Sequence, residues 1–203
     1  MPSHRHTDAT AGRTAVDDDL VLAAARASVL DVGLRRTTLA EVARRAGVSR
    51  MTVYRQYGDL GTLVSSLLTA ELLGLIDGAR EEVEGLPTGR ERLVEAGVLI
   101  VERLAVHPLW CRVLDLDPEL LMPLVVDRFG ATQRVAVELV TGQVVEGQQV
   151  GSLRADVDPG LAATCLLLAA QSFVFSARIL VAEAKSEASV GELRRLLDSY
   201  LKP

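Results

Sequence analysis

The sequence predicts an all-α protein in which a small N-terminal three-helix unit, containing a helix-turn-helix, precedes a larger C-terminal helical bundle. Aromatic residues make up only 3% of the 203 residues, while alanine, leucine and valine are abundant. That composition favours helices packed through aliphatic side chains over an all-β sandwich. Apolar residues recur at helical spacing along most of the chain, whereas the alternation typical of strands does not persist.

The polar N-terminus, residues 1–16, has no apolar period and is predicted to be a flexible arm. It lacks the apolar segment of a signal peptide, which predicts a cytoplasmic protein. Three aspartates at residues 17–19 then precede an apolar segment, where carboxylates complement the positive end of a helix. The first helix is therefore predicted from about Asp18 to Val32, and Gly33 ends it.

Two short helices joined by a tight turn are predicted next. Thr38 is a good N-cap for the first of them, and Glu41 completes a capping box. Gly47 supplies the residue tolerant of positive φ that the turn needs. Ser49 caps the second short helix, which ends at about Tyr57. The spacing is that of a helix-turn-helix.

Small and aliphatic residues are expected to fix the crossing of these two helices. Ala43 allows a close approach, Val53 faces inward as an anchor, and Val42 and Val48 complete the pocket. The remaining side chains face outward and are of types that contact phosphates and base edges. A helical hairpin with an ordinary solvated face is the alternative interpretation. The outward-facing residues are Arg50, Met51, Thr52, Tyr54, Arg55 and Gln56.

The rest of the chain is predicted to be helical, with loops rich in glycine and proline. We predict three domains: the arm, residues 17–62 and residues 63–203. In the last domain, a long helix is predicted after Gly58-Asp59 to about Glu84, and short helices are predicted to begin at Pro108 and Pro118. The other predicted helices cover about residues 90–106, 119–146, 159–183 and 190–201.

Charge is distributed unevenly along the chain. The net charge is −5, but residues 20–58 contain seven arginines against two acidic residues. Residues 59–203 contain 13 basic and 21 acidic residues. A small basic unit on a larger acidic one is typical of a DNA-binding head joined to a body with another role.

Signals of enzymes, metal sites and membrane spans are weak. The sequence has no GxGxxG or Walker loop, no GxSxG and no HExxH, and only three histidines are available as general bases. Cys111 and Cys165 form no CxxC pair, which predicts free thiols in a reducing compartment. The charge-free run 159–177 contains polar residues and predicts a buried helix rather than a membrane span. We therefore expect no catalytic residues, no metal and no cofactor.

Residues 20–68 resemble the N-terminal domain of TetR-type bacterial transcriptional regulators. The resemblance implies a repressor that binds a palindromic operator in double-stranded DNA. The residues that carry it are Gly33, Thr37-Thr38, Val42-Ala43, Ala46-Gly47-Val48-Ser49, Thr52-Val53-Tyr54-Arg55 and Tyr57. It also implies roles: the residues that hold the DNA backbone are Thr38, Thr52, Tyr54 and Tyr57, and those that face the major groove are Arg50, Met51, Arg55 and Gln56.

One position departs from the TetR-type pattern. Those regulators usually carry a lysine at the start of the fourth helix, where it contacts a phosphate, and this chain has Leu60. The leucine implies one lost backbone contact per subunit. Arg44, Arg45 or the N-terminal arm would have to replace it.

The helix after Pro159 carries two adjacent apolar stripes, which predicts burial on two sides. The last helix has a similar stripe, and the resemblance implies a homodimer formed through these two helices. Twofold pairing would set the recognition helices about 34 Å apart. The alternative is that both stripes are internal core. The stripes are Leu161, Cys165, Leu168, Ser172, Phe175 and Ile179, and Ala162, Leu166, Ala169, Phe173, Ser176 and Leu180.

The resemblance further implies a small-molecule pocket in the body, for an effector that is expected to be apolar because the interior has few polar groups. Met122, Val126, Phe129 and Gln133 lie on one predicted helical face. The alternative for each candidate is core packing, and His107 is interpreted as a helix-terminus residue. For the whole chain, the alternative is a helical ligand carrier or enzyme without DNA-binding function. The candidate ligand-binding residues are Trp110, Met122, Phe129, Gln133 and Phe173.

Overall fold

The computed structural model describes residues 8–116 and 130–203, and all regular secondary structure in these two ranges is α-helical. The predicted all-α fold class is therefore confirmed. The helices, in chain order, are α1 (Asp8–Val32), α2 (Leu39–Ala46), α3 (Arg50–Tyr57), α4 (Leu60–Val83), α5 (Gly89–Ala105), α6 (Pro108–Leu116), α7 (Ala131–Gln149), α8 (Pro159–Ala182) and α9 (Ser186–Leu201).

The first helix begins at Asp8, earlier than the predicted start at Asp18. The part of the predicted arm from residue 8 onward is thus helical, and the prediction of a flexible arm is wrong there. Residues 8–17 contain three alanines and no proline. A helix nucleated by the packed turns that follow extends readily through such a segment. Gly33 ends α1 with φ of 83°, as predicted.

Helices α1, α2 and α3 share one hydrophobic core with the first turns of α4, and we call this unit the head. Val42, Val53 and Leu63 are completely buried in it. Leu109 and Val113 of α6 pack into the same core. Helix α6, which begins 40 residues after Leu68, therefore completes the head's core and ties it to the rest of the chain.

Helix α4 leads from the head into the body, where α5, α7, α8 and α9 form a bundle. Leu193, Leu197 and Leu201 of α9 are buried against this bundle. Gly147 allows the loop after α7 to fold back, because an added Cβ would lie 2.4 Å from the Leu153 side chain. The glycine near the end of α7 is therefore a packing requirement.

The predicted continuous helix over residues 119–146 is wrong at Gly130. That residue is extended, with φ of −69° and ψ of 176°, and α7 begins only at Ala131. Residues 119–129 and the predicted short helix from Pro118 lie outside the described residues. The helical face that contains Gln133 therefore begins only at Ala131.

Helix α8 is buried on one stripe and exposed on the other in the single chain. Ala162 and Leu166 are buried, whereas Leu161, Leu168 and Ile179 are 56%, 47% and 62% exposed. The stripe that contains Ala162 and Leu166 is therefore the one that faces the core of the chain. The other predicted stripe contains the three exposed residues, although its Phe175 packs against the head core.

Two helical segments are long and apolar enough to cross a membrane by length and composition, α4 and residues 159–177. In the fold, α4 contributes Leu63 and Leu67 to the head core, as expected of an internal helix. Both cysteines are free thiols, as predicted: Cys111 is half-buried and Cys165 is exposed.

Candidate DNA-binding surface and ligand cavity

Two N-caps and one glycine build the turn between α2 and α3. The Thr38 hydroxyl accepts the backbone N–H of Glu41 at 3.2 Å, and the Ser49 hydroxyl accepts that of Thr52 at 3.0 Å. Gly47 has φ of 70°, in the left-handed region that favours glycine. The predicted caps and turn are confirmed, so the local sequence alone specifies this geometry.

The crossing of α2 and α3 is fixed by packing. Val42, Ala43 and Val53 are completely buried, and the Val48 backbone N–H donates to the Ala43 carbonyl at 3.1 Å. These are the residues predicted to set the crossing. Because close packing holds α3 against α2, the outer face of α3 is presented at a defined angle.

The outer face of α3 is polar and basic. Among the described residues, Arg50 and Arg55 make no ion pair, which leaves both charges available to a polyanion. Thr52 is half-buried, and its hydroxyl lies 2.8 Å from that of Ser49. The predicted contact residues that are exposed are Thr38, Arg50, Met51, Tyr54, Arg55 and Gln56.

Tyr57 is buried and only 7% exposed, and its hydroxyl donates to the Asp18 carboxylate of α1. The same carboxylate oxygen accepts the Gln56 Nε2 at 2.6 Å. Burial and the Asp18 carboxylate raise the pKa of Tyr57, so the hydroxyl remains a donor. This position does not offer Tyr57 to a DNA phosphate, because the ring is part of the head core and its donor is already used.

The Glu41 carboxylate pairs with both arginines at the end of α2. It accepts Arg44 Nε at 2.8 Å and Arg45 Nε at 3.0 Å, and Arg45 also contacts Asp31 at 2.6 Å. The hydrogen bonds from Arg44 and Arg45 lower the pKa of Glu41 to about 2. The predicted capping box is thus only half formed, because these arginines engage the carboxylate that was expected to bind the Thr38 N–H.

The start of α4 is apolar and acidic. Leu60 is half-buried against the head core, and the Asp59 carboxylate caps the helix by accepting the Thr62 N–H at 2.7 Å. Residues 59–62 carry no cation. Arg44 and Arg45, the two α2 arginines that were expected to replace the missing lysine, already pair with acidic side chains.

A cavity of about 200 Å³ lies in the body among α4 to α9, with almost entirely aliphatic walls. Of the predicted ligand-binding residues, Trp110 and Gln133 line it. Phe173 borders a separate groove between α5, α8 and α9, because each residue step turns a side chain by about 100° around the helix. Met122 and Phe129 lie outside the described residues.

Two polar groups at the head-side end of the cavity differ in their hydrogen bonding. Gln133 Oε1 accepts the Gly130 N–H at 2.7 Å, and its Nε2 donates to Gln171 Oε1 at 3.1 Å. The Trp110 indole N–H is buried and has no acceptor within the described part of the chain.

Helices α4 and α5 contribute to the cavity, which was not predicted from the sequence. Leu72, Ile76 and Arg80 of α4 are spaced by four residues, and all three line it, as does Ile100 of α5. Their spacing identifies an inner helical face. However, a face packed against other helices has the same period as one that borders a cavity, so the cavity itself is not visible in the sequence.

His107 does not line this cavity. It directly precedes α6, where its carbonyl accepts the Cys111 N–H at 2.9 Å, which confirms its interpretation as a helix-terminus residue. Among the described residues, no group of three or more His, Cys, Asp or Glu side chains is arranged to hold a metal ion.

Comparisons with known proteins agree with these features. Residues 21–65 match the family model of bacterial regulatory proteins of the tetR family. Uncharacterized HTH-type transcriptional regulators of Mycobacterium bovis and Mycobacterium tuberculosis are 37% identical over 181 residues, which cover 89% of this chain and 92% of theirs.

Solved structures share the whole fold at lower identity. The transcriptional repressor QsdR of R. erythropolis has a TM-score of 0.69 at 15% identity and covers 93% of this chain and 97% of its own. The regulator FadR of Bacillus subtilis, in complex with stearoyl-CoA, has a TM-score of 0.63 at 19% identity and covers 90% and 98%. The similarity therefore extends from the head through the body.

Proposed function

The chain belongs to the TetR family of bacterial regulatory proteins, and we propose that it is a repressor that binds a palindromic operator as a homodimer and leaves it when an apolar effector binds. As a member of that family it is a transcriptional regulator and not an enzyme. The observation that carries the proposal is the capped helix-turn-helix, which presents a rigid basic face on α3. Its site of action would be the cytoplasm, where the DNA is.

The proposed DNA contacts follow from exposure and chemistry. Thr38, Thr52 and Tyr54 are hydroxyl donors near the turn and are assigned to phosphates. The side chains assigned to base edges in the major groove are Arg50, Met51, Arg55 and Gln56. Tyr57 is left out because it is buried.

The proposed homodimer is formed by α8 and α9. Leu161, Leu168 and Ile179 of α8 and Leu196 of α9 are 47–62% exposed in the single chain. Such large aliphatic side chains, aligned along neighbouring helices, gain most by packing against the same face of a second copy. A twofold dimer would place two α3 helices in successive major grooves, about 34 Å apart.

An apolar effector is supported by the cavity, whose walls are almost entirely aliphatic. FadR, which shares this fold, binds stearoyl-CoA, a ligand with a long apolar chain. We assign Trp110 and Gln133 to the effector site. Phe173 faces another groove, so we do not assign it there.

Trp110 also supports a route from effector to DNA. It lines the cavity and packs against the head core, next to Leu109 and Val113 of α6. An effector that moves Trp110 therefore moves α6, which packs against α1. The effector is expected to bind more tightly when α6 has moved than when the two heads have the spacing that fits DNA. This difference in affinity sets how strongly the effector weakens DNA binding.

Selection of genomic fragments on the purified protein, followed by footprinting, tests the function. The expected result is a protected site with two inverted half-sites whose centres are about 10 base pairs, or a multiple of one helical turn, apart. Retention of fragments without any shared dyad would contradict a dimeric repressor of this kind. Retention of no fragment above background at physiological salt would contradict DNA binding altogether.

A further inference from the structure

The cavity in the body is elongated along α4. Its lining on that helix runs from Ser65 to Arg80, a length of about 22 Å at 1.5 Å per residue. Helix α7 follows it side by side, since Thr69 and Thr132 share a hydrogen bond of 2.7 Å and Gln143 lies beside Arg80 at the other end. A volume of about 200 Å³ spread over that length leaves a narrow, chain-like space.

The middle of this space is aliphatic, and its polar groups lie at the ends. Leu72, Ile76, Ile100, Leu139 and Leu167 line the central part. A molecule that fills it must therefore present hydrocarbon along most of its length, because any polar group there would lose its hydrogen bonds to water.

Arg80 is the charged side chain in the cavity lining. It makes no ion pair with any residue that the structure describes. Arg80, Ala96 and Gln143 also line an adjoining groove between α4, α5 and α7, so the cavity opens to solvent at this point. A ligand that enters here places its polar group next to the Arg80 guanidinium and the Gln143 amide.

The groove outside Arg80 selects against a large anionic head. Its acidic residues outnumber its two arginines, Arg80 and Arg92. A single carboxylate is compensated by Arg80, whereas a polyanion such as a nucleotide would meet net repulsion. The acidic residues of the groove are Asp77, Glu81, Glu84 and Glu146.

We infer that the effector is a single-chain aliphatic carboxylate. Its carboxylate group pairs with Arg80, and its hydrocarbon tail runs along α4 to Trp110 and Phe175. Both aromatic residues line the far end of the cavity and pack against the head core. The effect of the ligand then depends on the length of its tail. A chain that is too short to reach Trp110 binds without moving α6. The inference rests on the proposed function only in treating this cavity as the effector site.

Calorimetric titration of the full-length protein below the micellar concentration tests the assignment, with dodecanoate, dodecanol, dodecyltrimethylammonium and dodecanoyl-CoA as probes. The expected order has dodecanoate tightest. Arg80→Gln should weaken dodecanoate about five- to tenfold, the size of one charge-assisted hydrogen bond at a partly solvated site, and leave dodecanol unchanged. Arg134→Gln, which removes an exposed charge from α7 outside the cavity, should change neither.

Three results would overturn the inference: dodecanol or the ammonium probe binding as tightly as dodecanoate, tighter binding of the coenzyme A thioester, or no effect of Arg80→Gln. Measuring operator release on the same samples distinguishes a failure of this inference from a failure of the proposed regulatory function. Operator binding with no carboxylate binding refutes this inference alone. Carboxylate binding to a protein that binds no operator refutes the proposed function alone. Saturating hexanoate should leave the operator bound.

Discussion

His107 Nε2 lies 3.1 Å from Glu71 Oε2, which ties the start of α6 to the middle of α4. The other carboxylate oxygen of Glu71 accepts Arg26 Nε of α1 at 2.9 Å. Glu71 is only 18% exposed, so it joins three helices in a partly dehydrated place. These are the helices through which a change in the body must reach the head.

Glu71→Ala should destabilise the fold and weaken the link between head and body. Removing the carboxylate leaves Arg26 and His107 without this partner, at an expected cost of about 1–3 kcal/mol in the free energy of unfolding. Denaturant unfolding measures the change. The matched control is Glu82→Ala, which breaks the more exposed pair with Arg103 and should cost no more than about 1 kcal/mol. If both variants lowered the free energy of unfolding by the same amount, Glu71 would contribute no more than an ordinary surface ion pair.

Asp18 is expected to orient Gln56 for base recognition. A carboxylate only accepts hydrogen bonds, so the Gln56 amide nitrogen faces Asp18 and its oxygen is left for the DNA. An acceptor there favours the amino group of adenine or cytosine. Asp18→Ala and Gln56→Ala should therefore flatten the base preference at the same operator position in a selection from randomised sites. A uniform gain in affinity for Asp18→Ala, with base preference intact, would show that Asp18 acts only through its charge.

Arg50→Ala should cost about 1–3 kcal/mol in operator binding if the arginine reads a guanine edge. Fluorescence anisotropy with operator and with random DNA separates base reading from phosphate contact. The expected loss is larger on the operator, and an equal loss on both would assign Arg50 to the backbone. Arg134→Ala, on the exposed side of α7, removes the same charge outside both the head and the proposed dimer helices and should leave both affinities unchanged.

Leu168→Glu should convert the dimer to a monomer, because it places a charge in the exposed apolar stripe of α8. Sedimentation velocity measures the change in mass, and circular dichroism shows whether the helices remain. Operator affinity should fall by more than about a hundredfold once two heads no longer bind together. Val150→Glu alters an equally apolar but differently placed exposed residue, which is 77% exposed, and should remain dimeric. A Leu168→Glu variant that stays dimeric would contradict the interface.

The helix-turn-helix was predictable because its determinants are local. Thr38 and Ser49 cap helices through bonds three residues away, and Gly47 answers a backbone requirement at its own position. The same locality explains why the start of α6 after His107 was predicted correctly.

The failures have two origins, a local competition for Glu41 and contacts between segments far apart in sequence. Glu41 was expected to bind its own helix start, but Arg44 and Arg45 compete for it. The Asp18 carboxylate that occupies the Tyr57 hydroxyl lies 39 residues away. Arg80 borders the cavity only because five other helices leave space beside it. The last two outcomes have no signature in spacing or composition.

The measurement that tests the central claim most directly is a titration of the wild-type protein with its selected operator and with a scrambled duplex of the same composition, at physiological salt. The account predicts binding to the operator at least about 10³-fold tighter. It also predicts that the difference collapses when Arg50 and Gln56 are both replaced by alanine. Equal affinities of the wild-type protein for the two duplexes would contradict a sequence-specific regulator that reads DNA through α3.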